Sequence, residues 1–226
     1  MKYEILYPEA FPVVECWLER GESIKAESDA MIAMSDTVDV EGKMDGGILG
    51  GLARKVLSGE SMFFQELTAR RGPGKVIFGH ALPGGILDVM LDGSYGLTIQ
   101  KDGFLAAEQG IEISTKAQNL SRGLFSGEGF FVLNARGRGT LFVSSYGVIH
   151  PITIERGEEF IIDNGHLVAW PDHMDYKIEK ASSGWISSFT SGEGLVCRFR
   201  GPGTVLIQTR NPDSFEAWIR SIVPAR

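Results

Sequence analysis

Short apolar runs alternate with turns along most of this chain. The runs are rich in β-branched and aromatic residues and end at Gly, Pro, Asp or Asn, which is typical of β-strands. They cover residues 3–7, 13–18, 37–41, 86–91, 111–115 and 148–155. Turn signals recur every ~8–12 residues, the spacing of a β-sandwich or barrel, and we see no βαβ alternation. The pattern predicts an all-β fold.

One helix is predicted, near the C-terminus. Asn211 and Pro212 supply an N-cap and a proline in the first turn. An apolar stripe follows at helical spacing, formed by Phe215, Trp218, Ile219 and Ile222. We expect this face to pack on the β-core as a lid. A weaker helix is indicated over residues 47–57, where several glycines oppose it.

Two markers recur three times along the chain in the same order. Ser-Gly-Glu begins at Ser58, Ser126 and Ser191, and Gly-x-Gly follows at Gly72, Gly137 and Gly201. Self-similarity at a fixed period indicates repeated structural units. We predict three tandem β-sandwich-like repeats around a pseudo-threefold axis, with each Gly-x-Gly a hairpin turn. The predicted boundaries are 1–85 (with a glycine-rich apolar loop at 42–57), 86–147 and 148–210, followed by the C-terminal helix and tail at 211–226.

Composition and charge exclude several classes of protein. The chain has 226 residues, is 43% hydrophobic and carries a formal net charge of −7. An acidic balance argues against a DNA-binding protein, which needs a basic face. Two cysteines indicate no disulfide framework. We find no signal peptide and no apolar run long enough for a membrane helix, so we expect a cytoplasmic protein.

Candidate chemistry is sparse. The chain lacks the usual phosphate-loop, nucleophile-elbow and zinc-protease motifs. Cys16 and Cys197 lie in apolar strand contexts and are expected to be buried hydrophobes. His166, Asp172 and His173 bring metal-ligand types together in sequence, but we favour an ordinary surface turn. We predict no catalytic residue, no cofactor and no metal.

Arginines recur beside the Gly-x-Gly markers. If the repeats are equivalent, these side chains form a ring around the pseudo-threefold axis, and the guanidinium fork suits phosphate and carboxylate. Ordinary salt bridges are the alternative. The candidate anion-contact ring consists of Arg70, Arg71, Arg136, Arg138, Arg198 and Arg200.

Apolar residues also recur in the segments that lead into Ser-Gly-Glu. Connections are normally polar, so these residues need a covering surface. Core packing, a subunit interface and peripheral membrane contact remain open, with membrane contact the least expected. The candidate subunit-interface loop comprises Ile48, Leu49, Leu52, Val56 and Leu57.

Residues 45–54 (DGGILGGLAR) and 58–64 (SGESMFF), with the later stretches 83–86 and 102–106, resemble a specific family. It is a bacterial and archaeal family related to a yeast mitochondrial biogenesis factor of the altered-inheritance-of-mitochondria group. The resemblance spans nearly the whole chain. It implies an all-β protein of the tryptophan-RNA-binding-attenuator-like superfamily, with three similar β-domains per chain and often a homotrimer. Prokaryotic members have no established biochemical function, and none of the attenuator protein's tryptophan or RNA sites matches residues here.

The function expected from these observations is that of a non-catalytic, homo-oligomeric scaffold or binding protein. The first alternative is a binding module for a small molecule or polyanion, such as a carbohydrate or anionic metabolite, at a cleft between domains or subunits. The second is an enzyme of unrecognised type. The expected partners are the chain itself, as a homotrimer, and an unknown protein or small molecule.

Overall fold

The computed structural model describes residues 1–44, 63–117, 131–180 and 195–223. Strands dominate these ranges, and one α-helix follows them. The first seven strands are β1 (Lys2–Leu6), β2 (Val13–Leu18), β3 (Ser23–Glu27), β4 (Met31–Met34), β5 (Asp39–Met44), β6 (Phe63–Thr68) and β7 (Gly74–Gly79). The next five are β8 (Ile86–Asp92), β9 (Leu97–Gln100), β10 (Phe104–Glu108), β11 (Ile111–Ala117) and β12 (Phe131–Ser144). The last six are β13 (Ile149–Ile154), β14 (Glu159–Asp163), β15 (Leu167–Pro171), β16 (Asp175–Lys180), β17 (Leu195–Arg200) and β18 (Gly203–Gln208), and the helix is α1 (Pro212–Ile222).

The all-β prediction is confirmed, and alternation explains why these segments are strands. In β2 the side chains of Val14, Cys16 and Leu18 are buried, while the residues between them are half-buried. Successive strand side chains point to opposite faces, so one face of β2 joins the core. Each of the six predicted strand runs overlaps an observed strand, with boundaries displaced by a few residues at most.

The strands pair antiparallel in three consecutive sets. In the first set, over residues 13–79, β7 pairs with β2 and β4, and β6 pairs with β3 and β5. In the second set, over 86–144, the long strand β12 pairs through its first half with β9 and β11 and through its second half with β8 and β10. In the third set, over 149–208, β18 pairs with β13 and β15, and β17 pairs with β14 and β16.

Two further pairings join the sets to one another. Strand β10 of the second set pairs with β3 of the first, and β15 of the third pairs with β9 of the second. These junctions build an eleven-stranded sheet, which is accompanied by a four-stranded sheet (β1-β2-β7-β4) and a three-stranded sheet (β14-β17-β16). Adjacent strand sets are therefore continuous through backbone hydrogen bonds.

The core follows the same division. Buried hydrophobic side chains of the described ranges form three clusters, centred on the first, second and third strand sets. Each cluster also takes residues from a neighbouring set: Phe142 joins the first, Phe64 the second and Val132 the third. Burial across these boundaries adds to the backbone pairing in holding neighbouring sets together.

The prediction that the Gly-x-Gly markers are hairpin turns is wrong. The strands that flank them, β6 and β7 or β17 and β18, do not pair with each other but run in different pairs of the same set. In the second set Gly137 and Gly139 lie inside the continuous strand β12. Their φ angles of 130° and 142°, and the carbonyl oxygen of Gly110 only 2.1 Å from a Cβ built on Gly137, require glycine. The marker lies where the chain crosses from one strand pairing to another.

The C-terminal helix is confirmed, whereas its predicted packing is wrong. The Asn211 side chain accepts hydrogen bonds from the backbone N–H groups of Asp213 and Ser214, as an N-cap does. No residue of α1 is buried, and Phe215, Trp218 and Ile222 are exposed. The helix is not a lid on the core.

Several predictions fall on residues outside the described ranges. They are the three Ser-Gly-Glu markers, the weak helix over 47–57 and the interface loop of Ile48, Leu49, Leu52, Val56 and Leu57. The described part of the chain contains no helix that is both long enough and apolar enough to cross a membrane.

Candidate functional site

The strand β4 is an open edge with an apolar surface. It pairs with β7, and its register shifts between Met31 and Ala33. Ile32 is 59% exposed and Met34 is also exposed. Among the described residues no second strand pairs with it. Unpaired apolar edge strands are templates for pairing with another chain, so natural proteins usually protect them.

The corresponding strands of the other two sets are covered. Strands β10 and β15 carry the same register shift, between Phe104 and Ala106 and between Leu167 and Ala169. Counted from that shift, Ile32 corresponds to Leu105 and Val168, both fully buried. β10 and β15 each pair with a strand of the preceding set, whereas β4 pairs with β7 alone among the described residues.

The strand β14 is the complementary open edge at the other end of the series. It pairs with β17, and among the described residues no second strand joins it. Phe160 is 46% exposed and Ile161 is exposed as well. The corresponding strands β3 and β9 pair with the set that follows them, so that Ile24 and Leu97, at the position of Phe160, are buried.

Most of the predicted arginine ring is engaged by carboxylates. Arg70 pairs with Glu41 and Arg71 with Asp39. The Arg198 guanidinium lies 3.2 Å from a Glu179 carboxylate oxygen.

Arg198 also approaches Glu159 at 3.6 Å. Arg138 and Arg200 make no ion pair with any residue in the described ranges. Exposed ion pairs contribute ~0–1 kcal/mol each. Four of the six side chains, Arg136 included, have the partners of ordinary salt bridges, and a common anion site remains a prediction.

Arg136, the sixth arginine, helps to line a cleft between the second and third strand sets. The cleft has a volume of about 580 Å³. Its lining residues are Gly93, Ser94, Tyr95, Gly96, Arg136, Gly137, Asp172 and His173. The rings of Tyr95 and His173 meet edge to face, with centroids 6.3 Å apart. Sequence reasoning missed Ser94 and Tyr95, although the Asp-Gly-Ser turn at 92–94 was a signal for the loop that carries them.

Asp172 is the central polar group of this cleft. Its side chain is 6% exposed and accepts hydrogen bonds from the Arg136 Nε at 2.6 Å and the Gly96 N–H at 3.2 Å. Burial acts to raise the pKa of Asp172, but these two donors outweigh it and hold the pKa below its ordinary value. Gly96 is required here, because a Cβ would lie 2.6 Å from the Asp172 carboxylate. The carboxylate is therefore ionised and neutralises Arg136.

The suggested metal ligands serve other contacts. His166 Nδ1 lies 2.7 Å from the Gln208 carbonyl oxygen, and Asp172 binds Arg136. No group of three or more metal-ligating side chains occurs among the residues the structure describes. Cys16 and Cys197 are buried as expected, and burial raises the pKa of each thiol to about 12. Both thiols are protonated at neutral pH.

Comparison with known proteins gives consistent matches over nearly the whole chain. A family model described as mitochondrial biogenesis AIM24 matches residues 3–210. An uncharacterized protein of Streptococcus pyogenes is 32% identical over 231 residues, covering 99% of this chain and 92% of that protein. A crystal structure of a Streptococcus pyogenes protein has a TM-score of 0.79 and 32% identity, and the match covers 98% of this chain and 99% of that one.

Proposed function

Since this chain belongs to the AIM24 family, whose matched bacterial relative is uncharacterized, we propose its role from its architecture. We propose that three copies form a closed ring that acts as a non-catalytic scaffold or binding protein in the cytoplasm. The observation that carries the proposal is the pair of open apolar edges, β4 and β14. The strands that correspond to β4 and β14 in the other sets pair with a neighbouring set, and their apolar side chains are buried.

Triplication is the first step of the argument. The pairings of β4 with β7, of β10 with β12 and of β15 with β18 follow one scheme, with the register shift at the same place each time. This supports three copies of one unit in a single chain. A unit of this kind uses its third strand to join the unit before it and its second strand to join the unit after it.

Ring closure is the second step. Among the described residues, the third strand of the first unit, β4, and the second strand of the third unit, β14, each lack the neighbour that joins units. Pairing β14 of one copy with β4 of the next would repeat the junction between units that the chain already makes twice. Such a head-to-tail contact is heterologous, and it yields a ring if the rotation closes. The number three comes from the family resemblance.

The registers of the internal junctions define the expected one. Ala106 is opposite Ala26, and Ala169 is opposite Ile99. The same register sets Ile162 of one copy opposite Ala33 of the next, and Ile161 opposite Met34. The junction would cover the exposed side chains of Ile32, Met34, Phe160 and Ile161, which removes an aggregation-prone surface.

Multi-angle light scattering on the full chain tests the assembly. We expect a single species at micromolar concentration with three times the 24.7 kDa mass of one chain. A mass of one chain would refute the ring, and an intact assembly of another size would refute the number three alone.

We propose a second candidate function, the binding of a small polar molecule, on the strength of the cleft around Asp172. Because Asp172 neutralises Arg136, the cleft suits a neutral hydrogen-bonding ligand better than a polyanion. Titration with a panel of sugars, followed by ¹H–¹⁵N shifts of the turn amides at Ser94 and Gly96, tests this function. An absence of shifts at millimolar sugar would count against it.

A further inference from the structure

Most of the apolar face of α1 has no partner within the described chain. Phe215, Trp218 and Ile222 line one side of the helix, and Trp218 is 56% exposed. The Phe215 ring stacks on Trp218, with centroids 5.9 Å apart, and leans on Tyr146 at 5.5 Å. These contacts fix the direction in which the helix leaves β18 but leave most of its apolar face open.

The segments that connect successive units stack on one another. Residues 83–85 bond to 145–147, with the Gly85 N–H donating to the Gly147 carbonyl at 2.8 Å. Residues 146–148 bond in turn to 208–210, with the Thr209 N–H donating to the Val148 carbonyl at 3.1 Å. Each of these segments follows the last strand of one unit. The segment that starts α1 is thus the third member of a stacked series.

Within one chain, a single segment connects each unit to the next. At the boundary between two copies of a ring, two segments lie in that place: the one that leaves the third unit of one copy and the one that enters the first unit of the next. Residues 7–12, which lead into β2, are the entering segment. This geometry rests on the ring proposed above, and it brings residues 7–12 of one copy to α1 of its neighbour.

The entering segment carries a matching apolar surface. Phe11 is 70% exposed and Tyr7 is nearly as exposed. Both have left-handed backbones, with φ of 54° and 58°, a conformation that aromatic residues adopt only when the surroundings impose it. We propose that the apolar face of α1 packs against Tyr7 and Phe11 of the next copy. This contact, which we call the clasp, lies outside the β4–β14 strand junction and adds a second contact between neighbouring copies.

The charges on α1 favour a protein partner over a lipid surface. The polar side of the helix carries Asp213, Glu216 and Arg220, and Arg220 is paired with Glu216. Helices that lie on membranes usually present several Lys or Arg residues. An acidic helix with an aromatic stripe suits the uncharged aromatic pair at Tyr7 and Phe11.

A cysteine pair tests the contact directly. Phe11→Cys with Trp218→Cys should form disulfides between copies on mild oxidation, seen as dimers and trimers on a non-reducing denaturing gel. The matched control, Phe11→Cys with Ala217→Cys, moves the thiol to the opposite side of α1 and should cross-link at least tenfold less. The native cysteines, Cys16 and Cys197, are buried and should not form disulfides under these conditions.

The possible outcomes separate the clasp from the ring. A trimer by light scattering without preferential cross-linking overturns the clasp and leaves the ring standing, whereas a one-chain mass removes both. A disulfide within one chain overturns the clasp. So does binding of the native protein to phosphatidylglycerol vesicles that Trp218→Ser abolishes while the trimer persists, because the occupant would then be lipid.

Discussion

The junction between β4 and β14 can be tested by charge substitution at one predicted cross-strand pair. Ile161 of one copy should lie opposite Met34 of the next. Each side chain is about 40% exposed in the single chain, and full burial of such residues stabilises by ~1.5–3 kcal/mol. The pair therefore contributes about 1–2 kcal/mol per junction. Met34→Asp replaces this gain with an unpaired charge in an apolar contact, which costs a further ~2 kcal/mol or more.

A loss of about 3 kcal/mol per junction weakens each junction more than 100-fold. We expect Met34→Asp and Ile161→Lys each to give monomers at micromolar concentration with unchanged circular dichroism, because both positions are exposed within the chain. The double variant places Asp opposite Lys and should recover much of the assembly. Met90→Asp, at an exposed residue of β8, is the matched control and should remain assembled.

Mixing the two single variants adds a test of ring size. The β4 edge of a Met34→Asp copy pairs favourably with the β14 edge of an Ile161→Lys copy, because Asp then lies opposite Lys. The other edges of these two copies, β14 of the first and β4 of the second, are native and also pair. A ring in which the two variants alternate therefore has only favourable junctions, which requires an even number of copies. A three-membered ring always leaves one mismatched junction, so the mixture should form dimers and open chains. Closed rings in the mixture would refute three copies, and assembly of either single variant alone would refute the junction.

Two further predictions concern stability of the chain itself. Gly137→Ala should lower the free energy of unfolding by ~2–4 kcal/mol in urea denaturation, because the new side chain combines a positive φ with a clash at the Gly110 carbonyl. The control Gly42→Ala places its methyl group in open space and should change the free energy of unfolding by less than ~0.5 kcal/mol. Equal effects of the two substitutions would contradict the conclusion that the backbone at Gly137 requires glycine. Burial, followed by repulsion from Asp102 and Asp29, raises the pKa of Glu27 from 4.5 to about 7, so the native state binds the proton more tightly and stability falls as pH rises from 4.5 to 7. Glu27→Gln should remove that fall and gain ~1–2 kcal/mol at pH 8 after allowance for partial exposure, and an unchanged pH profile would argue against the shift.

Local alternation was sufficient to predict most strands. Val14, Cys16 and Leu18 alternate with polar or aromatic positions, and a period of two has one structural meaning. The Gly-x-Gly markers were misinterpreted because a glycine pair signals that the backbone bends. It does not say whether the next strand returns beside the last or crosses to another partner. At Gly137 and Gly139 the strand does not end at all, and only the long-range pairings of β12 reveal this.

Partners could not be predicted for the same reason. The stripe on α1 correctly indicated an apolar face, but amphipathicity does not identify the chain that covers it. The cleft around Asp172 joins residues 76 positions apart through the Gly96 contact, and no local pattern encodes such a distance. The arginines were visible in sequence, whereas their carboxylate partners, such as Glu41 and Asp172, depend on register.

Charge distribution separates the permanent edges of the sheets from the two open ones. Strands β5, β11 and β16 each pair on one side among the described residues, and all three carry acidic and basic side chains along their length. Charged residues on an edge prevent pairing with other chains. β13, another such strand, contains Pro151, which cannot donate to a ladder. β4, with the sequence Met-Ile-Ala-Met, has neither device, and in β14 the charges lie only at the ends, around Phe160 and Ile161. β1 and β8 also pair on one side only, and they carry charged residues at Lys2 and Glu4 and at Asp88 and Asp92. Among the described strands, the other six edges therefore carry a charge or a proline within their length, whereas the inner positions of β4 and β14 carry neither, which is the physical basis for expecting β4 and β14 to meet across a subunit boundary.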